Sequence, residues 1–199
     1  MRLQTEAVEI LLGPKTLTYS PQVFSAGSKV QISGPSGCGK SSYFRYLLDL
    51  LPREFLSVPP PLGREAFAWV PQDFRLGQGV CRELMKELIG FLEPSNKKEN
   101  QSLFSKVQAT LQGWSWPKDL WDQNFTQISG GEKQRLALAL ATNLSRPWIL
   151  IDEGLSGIEP NLLSSILKDL EASPSGLLII SHQTLPFPNR EIHSPRGVQ

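Results

Sequence analysis

The stretch Gly34-Pro35-Ser36-Gly37-Cys38-Gly39-Lys40-Ser41 satisfies the pattern G-x-x-x-x-G-K-[ST] at all four specified positions. Residues of these types at this spacing handle phosphate. The glycines permit backbone angles closed to other residues and let main-chain N–H groups approach a bound anion. A helix beginning near Lys40 adds unpaired N–H groups and the positive end of its dipole. In such a loop Lys40 reaches the β- and γ-phosphates and the Ser41 hydroxyl ligates Mg²⁺. The pattern arises by chance in roughly one chain of this length in a hundred, so a glycine-rich turn with an incidental lysine is the weaker explanation.

Other residues with chemical potential stand at the ends of apolar runs or at the start of a helix. Asp152-Glu153 closes Trp148-Ile149-Leu150-Ile151, His182 follows Leu177-Leu178-Ile179-Ile180, and Gln72 follows Ala66-Phe67-Ala68-Trp69-Val70. Ser129-Gly130-Gly131 precedes a helical pattern, where exposed N–H groups and a hydroxyl form an anion site. Taken singly these are weaker signals. Two adjacent acids also cap helices, and a lone glutamine or histidine after a strand is ordinarily exposed or structural.

The elements that must position these groups follow from the periodicities. Residues 7–12 and 17–24 read as strands with a turn at Gly13-Pro14, and Lys29-Val30-Gln31-Ile32-Ser33 reads as the strand feeding the glycine loop. The helix after the loop is expected over 42–51, ending before Pro52, and Pro59-Pro60-Pro61 reads as an extended connection. Apolar residues at Val80, Leu84, Leu88 and Leu92 predict an amphipathic helix over 80–92. A polar loop over 93–100 leads to a second helix over 101–112, and Trp114, Trp116 and Trp121 read as a local core cluster. A third helix from Lys133 to about Ser145 is apolar on most of its surface, which implies burial. A further helix is expected over 161–172, and the tail with Pro186, Pro188 and Pro195 reads as irregular. Strands alternating with helices imply an α/β fold with a mainly parallel sheet, interrupted by a largely helical insertion.

Composition narrows the class. A chain of 199 residues with 40% hydrophobic and 20% charged residues can bury a core of ordinary size. A net charge of +1 gives no sign of a nucleic-acid surface. The apolar runs are too short to cross a bilayer, and Met1-Arg2-Leu3-Gln4-Thr5-Glu6 leads to no segment of signal-peptide type. Cys38 and Cys81 imply no disulfide framework, and a reducing cytoplasm is the expected setting.

Together the motifs resemble the nucleotide-binding domain of ATP-binding cassette (ABC) ATPases, in a compact variant. Five segments stand in that family's order: GPSGCGKSS over 34–42, VPQ ending at Gln72, ISGGEKQR over 128–135, WILIDE over 148–153, and His182. The pairing of ISGGEKQR with an apolar strand ending in Asp-Glu is the specific part. The resemblance implies a P-loop NTPase core over 1–76 and 147–199 with a mainly parallel sheet flanked by helices and a trimmed antiparallel β region. It also implies a helical subdomain over 77–146. ATP and Mg²⁺ are the implied ligands. Gly34, Pro35, Ser36, Gly37, Cys38, Gly39, Lys40, Ser41 and Ser42 would cradle phosphate, Ser41, Gln72 and Asp152 would serve the metal, and Glu153 would be the general base. Lys40, Gln72 and His182 would complete the catalytic set, with His182 on the γ-phosphate and Gln72 relaying nucleotide state to a partner. Ser129, Gly130, Gly131 and Glu132 would close on the γ-phosphate held by a second subunit, giving a head-to-tail dimer with two ATP molecules.

Several positions depart from the family's wording. Glu132 replaces the usual glutamine, and Gly154-Leu155-Ser156-Gly157-Ile158-Glu159 replaces Pro-Thr-Ser-Ala-Leu-Asp. The aromatic residue that stacks on adenine has no counterpart, Tyr19 being the nearest candidate but too close to Gly34. The implied function is the ATPase subunit of a transporter with separate membrane subunits, at the inner face of the membrane. The alternatives are a soluble ABC ATPase without a transport role and an ATP-gated interaction module. A small-molecule kinase leaves ISGGEKQR unexplained.

Overall fold

The computed structural model describes residues 1–94 and 96–192, so Pro195 of the tail and Ser95 of the polar loop lie outside the described residues. The chain forms two compact units. The first comprises Met1–Trp69, Arg146–Glu153 and the residues from Ser173; the second comprises Val70–Ser145 and Gly154–Ala172.

In the first unit, β1 (Leu3–Thr5), β2 (Val8–Leu12), β3 (Lys15–Tyr19) and β4 (Gln22–Phe24) make two antiparallel ribbons. β1 pairs with β4, and β2 pairs with β3 so that Val8 faces Tyr19 across the ladder. Val8 and Ile10 are buried while Glu9 and Leu11 are exposed, the period-2 alternation of a half-covered strand. β1 alternates in the same way, with Leu3 and Thr5 buried and Gln4 exposed, but its second inward residue is polar and the strand is short, so it carries no hydrophobic signal in the sequence.

β5 (Lys29–Ser33) leads into the glycine loop and α1 (Lys40–Leu47). α1 ends earlier than its apolar pattern predicts. Asp49 takes a left-handed backbone (φ 53), and Leu50 N–H returns to the Arg45 carbonyl at 2.9 Å, which closes the helix before Pro52 can. β6 (Phe67–Val70), β7 (Trp148–Asp152), β8 (Gly176–Ile180) and β9 (Asn189–Glu191) join β5 in a five-stranded sheet of order β6-β7-β8-β5-β9. The β7–β8, β8–β5 and β5–β9 ladders are parallel. β7 and β8 are buried at every position, which explains their continuous apolar runs. Trp148 stands opposite Gly176, where a Cβ would lie against the indole ring. β9 corrects the reading of the tail as irregular: three exposed residues carry no hydrophobic signal, yet they pair along β5.

The second unit holds α2 (Cys81–Leu92), α3 (Lys97–Gly113), α4 (Gly130–Asn143) and α5 (Pro160–Ala172). α2 turns Cys81, Met85 and Ile89 inward at four-residue spacing, and burial pushes the Cys81 thiol up to about 11. α3 begins earlier than expected because the Asn96 side chain accepts the Glu99 N–H at 2.8 Å. Trp114, Trp116 and Trp121 are buried, with Trp121 against Phe104 and Trp116 at ring distances of 5.3 and 5.8 Å. The buried Arg135 guanidinium on α4 donates to the Trp114 carbonyl at 3.1 Å and lies 5.5 Å from the Trp116 ring. Among the described residues no helix is long and apolar enough to cross a membrane.

Candidate active site

In the sheet of the first unit, β8 lies between β7 and β5, and the three strands run parallel. Their carboxyl ends therefore release Asp152-Glu153, Ser181-His182 and the Gly34–Gly39 loop side by side. The carboxyl ends of parallel strands are where α/β sheets take their ligands. Two contacts tie the ends together: Ser41 Oγ donates to Asp152 Oδ1 at 3.0 Å, and His182 Nε2 lies 3.0 Å from Glu153 Oε1.

The loop is shaped by Gly39. It caps α1 in the left-handed region (φ 99), and a Cβ there would lie against the Tyr19 hydroxyl and the Leu17 side chain. The Tyr19 hydroxyl donates to the Gly39 carbonyl at 2.8 Å, and the Tyr43 N–H reaches the same oxygen at 2.9 Å. Tyr19 is 1% exposed, its ring is tilted on Tyr43 at 5.2 Å, and burial raises its phenol pKa. Tyr19 is thus a buried support for the loop, and its ring has no free face for a base. The first turn of α1 carries no acidic side chain, so nothing of its own competes for an anion. Lys40 Nζ donates to the Gly34 and Pro35 carbonyls at 2.9 and 3.0 Å, which holds the ammonium against the loop's first peptide groups.

Asp152 is 7% exposed. Burial pushes its carboxyl above the usual range and the Glu153 charge adds to this, against the Ser41 hydrogen bond and the charges of Arg45 and Lys40. A buried carboxylate bonded to a serine hydroxyl is a pair of hard oxygens whose charge a cation would relieve. This donor set fits Mg²⁺, which takes one or two protein oxygens and completes its shell with phosphates and water. No cluster of three or more His, Cys, Asp or Glu suited to a metal occurs among the described residues.

Glu153 leaves the ladder through a left-handed backbone (φ 55), with its N–H on the Ile180 carbonyl at 2.9 Å. A non-glycine residue held there is a strained position of the kind that gathers at functional sites. The His182 side chain is 65% exposed, so its ring meets Glu153 from the solvent side. The peptide groups around it are held by Gln31 of β5, whose Nε2 donates to the Gln183 and Ser181 carbonyls at 2.7 and 3.3 Å.

The remaining expected residues lie in the second unit. Ser129 caps α4: its hydroxyl accepts the Glu132 N–H at 3.3 Å while Glu132 Oε2 accepts the Ser129 N–H at 2.6 Å, a capping box. The Glu132 carboxylate is thereby engaged with its own helix end. A Cβ on Gly131 would lie against the Gly157 carbonyl, so the signature glycine is required by close backbone packing. Gln72 is brought to the same helix, because Gln134 Nε2 donates to the Gln72 and Pro71 carbonyls at 2.6 and 3.3 Å.

Three contributors escaped the sequence reading: Tyr19 as a support, and Gln31 and Gln134 as buried amides. Gln31 left a signal, a polar side chain in the middle of an apolar strand, which must find partners when buried.

A family model described as "ABC transporter" matches residues 22–156. "ABC transporter D family member 2" of Dictyostelium discoideum is 31% identical over 165 residues, 77% of this chain and 21% of that protein. "Cytochrome c biogenesis ATP-binding export protein CcmA" of Tatumella citrea is 32% identical over 174 residues, 81% of this chain and 78% of that protein. The chain thus spans about a fifth of the Dictyostelium protein's length. Among solved structures, a dimeric ATP-binding cassette in a post-hydrolysis state bound to ADP and Pi superposes with a TM-score of 0.71 at 20% identity, covering 92% of this chain and 88% of that one. With the phosphate loop, the acid pair and the signature glycines in the family's order, and a family model matched over more than half its length, the chain belongs to the ABC transporter family.

Proposed function

We propose that the chain binds ATP with Mg²⁺ and hydrolyses it as the ATP-binding subunit of a transport assembly. The observation that supports this is the convergence, at the ends of β5, β7 and β8, of the glycine loop, the Ser41–Asp152 pair and the Glu153–His182 pair, each pair at 3.0 Å. The loop from Gly34 to Ser42 cradles the phosphates, the N–H groups of Ser36, Gly37, Cys38 and Gly39 donating while Pro35, which has no N–H, shapes the turn, and Lys40 turns to the β- and γ-oxygens. Mg²⁺, held by Ser41 and Asp152 with Gln72 in its water shell, would neutralise charge on the transferred group. Glu153 accepts the proton of the attacking water as its oxygen bonds to the γ-phosphorus and the bridging bond to ADP breaks. His182 orients the γ-phosphate. The functional division is a P-loop core over 1–76 and 147–199 and a helical subdomain over 77–146.

Ser129, Gly130 and Gly131, with Glu132 fixing the helix end, serve the γ-phosphate of a second subunit in a head-to-tail dimer. Membrane subunits carry the transported substrate, which places the chain at the inner face of the membrane through its partners. The test is Glu153→Gln. It is expected to keep ATP binding, to lose turnover by at least about a hundredfold, and to accumulate an ATP-bound dimer in gel filtration. Turnover at the parent rate in that variant removes Glu153 as the base.

A further inference from the structure

We propose that Gln31 is a positioning residue for His182, fixing where the imidazole falls; this rests on the reading of His182 as the γ-phosphate ligand. Gln31 sits in the strand that feeds the phosphate loop, three positions before Gly34, and is 6% exposed between buried Val30 and Ile32. Its backbone N–H serves the sheet margin, donating to the Pro188 carbonyl at 2.9 Å. Its side chain serves the turn after β8. Nε2 donates to the carbonyls of Gln183 at 2.7 Å and Ser181 at 3.3 Å, and Oε1 accepts the Leu185 N–H at 3.0 Å. The Ser181 hydroxyl adds an internal brace by accepting the Gln183 N–H at 3.0 Å.

The two carbonyls on Nε2 stand immediately before and after His182. Two acceptors on one atom also fix the amide's orientation, because the oxygen could not face them. The His182 side chain is 65% exposed. An exposed ring gains little from packing, so its position follows from the backbone on either side. One buried amide therefore links the strand of the phosphate loop to the turn that presents the imidazole, 3.0 Å from Glu153. A movement of β5 and a movement of the His182 turn cannot occur separately without breaking these bonds inside a buried setting.

The experiment is a double-mutant cycle on the full chain, with ATP turnover and ATP Kd measured for Gln31→Met, His182→Ala and the pair. Gln31→Met preserves volume and removes all three side-chain bonds. It is expected to lower kcat about tenfold or more, as small misplacements of reacting groups do, with the ATP Kd within about threefold of the parent. The double variant is expected to turn over no slower than His182→Ala alone, because both changes remove the same placed imidazole. Parent-like kcat in Gln31→Met, or a double variant slowed by the product of the single effects, overturns the proposal. If Gln31→Met does not fold, Gln31→Leu takes its place in the cycle, since it also removes the donors that bracket His182 and adds no charge inside the buried strand. Slow turnover without additivity then supports the proposal, and parent-like or additive turnover overturns it. Parent-like turnover in His182→Ala removes the reading of His182 and the proposal with it. Slow His182→Ala beside fast Gln31→Met removes the proposal alone.

Discussion

His182 Nε2 and Glu153 Oε1 lie 3.0 Å apart, carried by the ends of two parallel strands that pair residue for residue from Trp148↔Gly176 to Asp152↔Ile180. The ladder brings the two strand ends together, and the turn after β8, held by Gln31, carries the imidazole the remaining distance to the carboxylate. His182→Ala is expected to slow ATP turnover about tenfold or more while leaving thermal stability unchanged, because the ring is largely in solvent. Unchanged turnover would separate the imidazole from the chemistry.

Asp152 makes a pH-dependent prediction. Its carboxyl titrates higher in the folded chain than its usual value of 3.8, because burial disfavours the charge. Between the two values the folded chain keeps a proton that the unfolded chain has released, so stability is full below the unfolded value and declines as pH rises through the folded one. Asp152→Asn keeps an acceptor for Ser41 and carries no charge. Without Mg²⁺ or nucleotide its melting temperature should exceed the parent's at pH 7. The advantage should shrink towards pH 4, and Mg²⁺ with ATP should stabilise the parent alone. A less stable variant at pH 7 would contradict the burial argument.

Tyr19→Phe removes the donor to the Gly39 carbonyl and leaves the buried ring in place. A neutral hydrogen bond of about 1 kcal/mol translates into ATP affinity reduced about fivefold if the loop's shape depends on it. Titration calorimetry with ATP checks this. An unchanged Kd would mean that Gly39 holds its conformation from α1 alone.

Gly176→Ala tests the packing beneath the site. Its Cβ would lie against the Trp148 ring, which is fully buried. Overpacking of this kind costs about 1–3 kcal/mol, a fall of several degrees in melting temperature. A melting curve superimposed on the parent's would show that the indole can shift.

Ser129→Arg places a cation and a long side chain at the anion site of α4. The helix has other stabilising contacts, with Gln134 on Gln72 and Arg135 on Trp114, so the fold is expected to persist. ATP-dependent dimerisation, followed by light scattering, is expected to disappear. A dimer that still forms with ATP would exclude this surface from the interface.

The phosphate loop, the acid pair and the signature segment were legible because backbone geometry dictates their residue types. Gly39 must be left-handed and bare of a Cβ, and β7 is apolar from Trp148 to Ile151 because both its faces are buried, which makes Asp152 at its end stand out. α2 was legible as a helix from its period, but the face it buries is Cys81, Met85 and Ile89, one residue on from the expected Val80, Leu84, Leu88 and Leu92, of which Val80 is exposed and the leucines are half-buried. What stayed hidden depends on tertiary partners. Asp49 ends α1 by its backbone angle, β9 is a strand because β5 offers an edge, and Tyr19 supports the loop because β3 runs beside it. None of these relations has a local sequence signal. Gln31 had one, an amide among aliphatic neighbours, but only the fold reveals which turn it serves.

The contact between Gly131 and the Gly157 carbonyl bears on how this sequence can diverge. The segment after Glu153 has drifted from the family's usual wording, yet its backbone presses on a signature position that has no space for a methyl group. Rewriting of 154–159 is therefore confined to shapes that tolerate a bare Cα at 131. A methyl group at 131 becomes acceptable only after the neighbouring peptide has moved away. Changes in these two stretches should accordingly be inherited as a set, with the loop changing first.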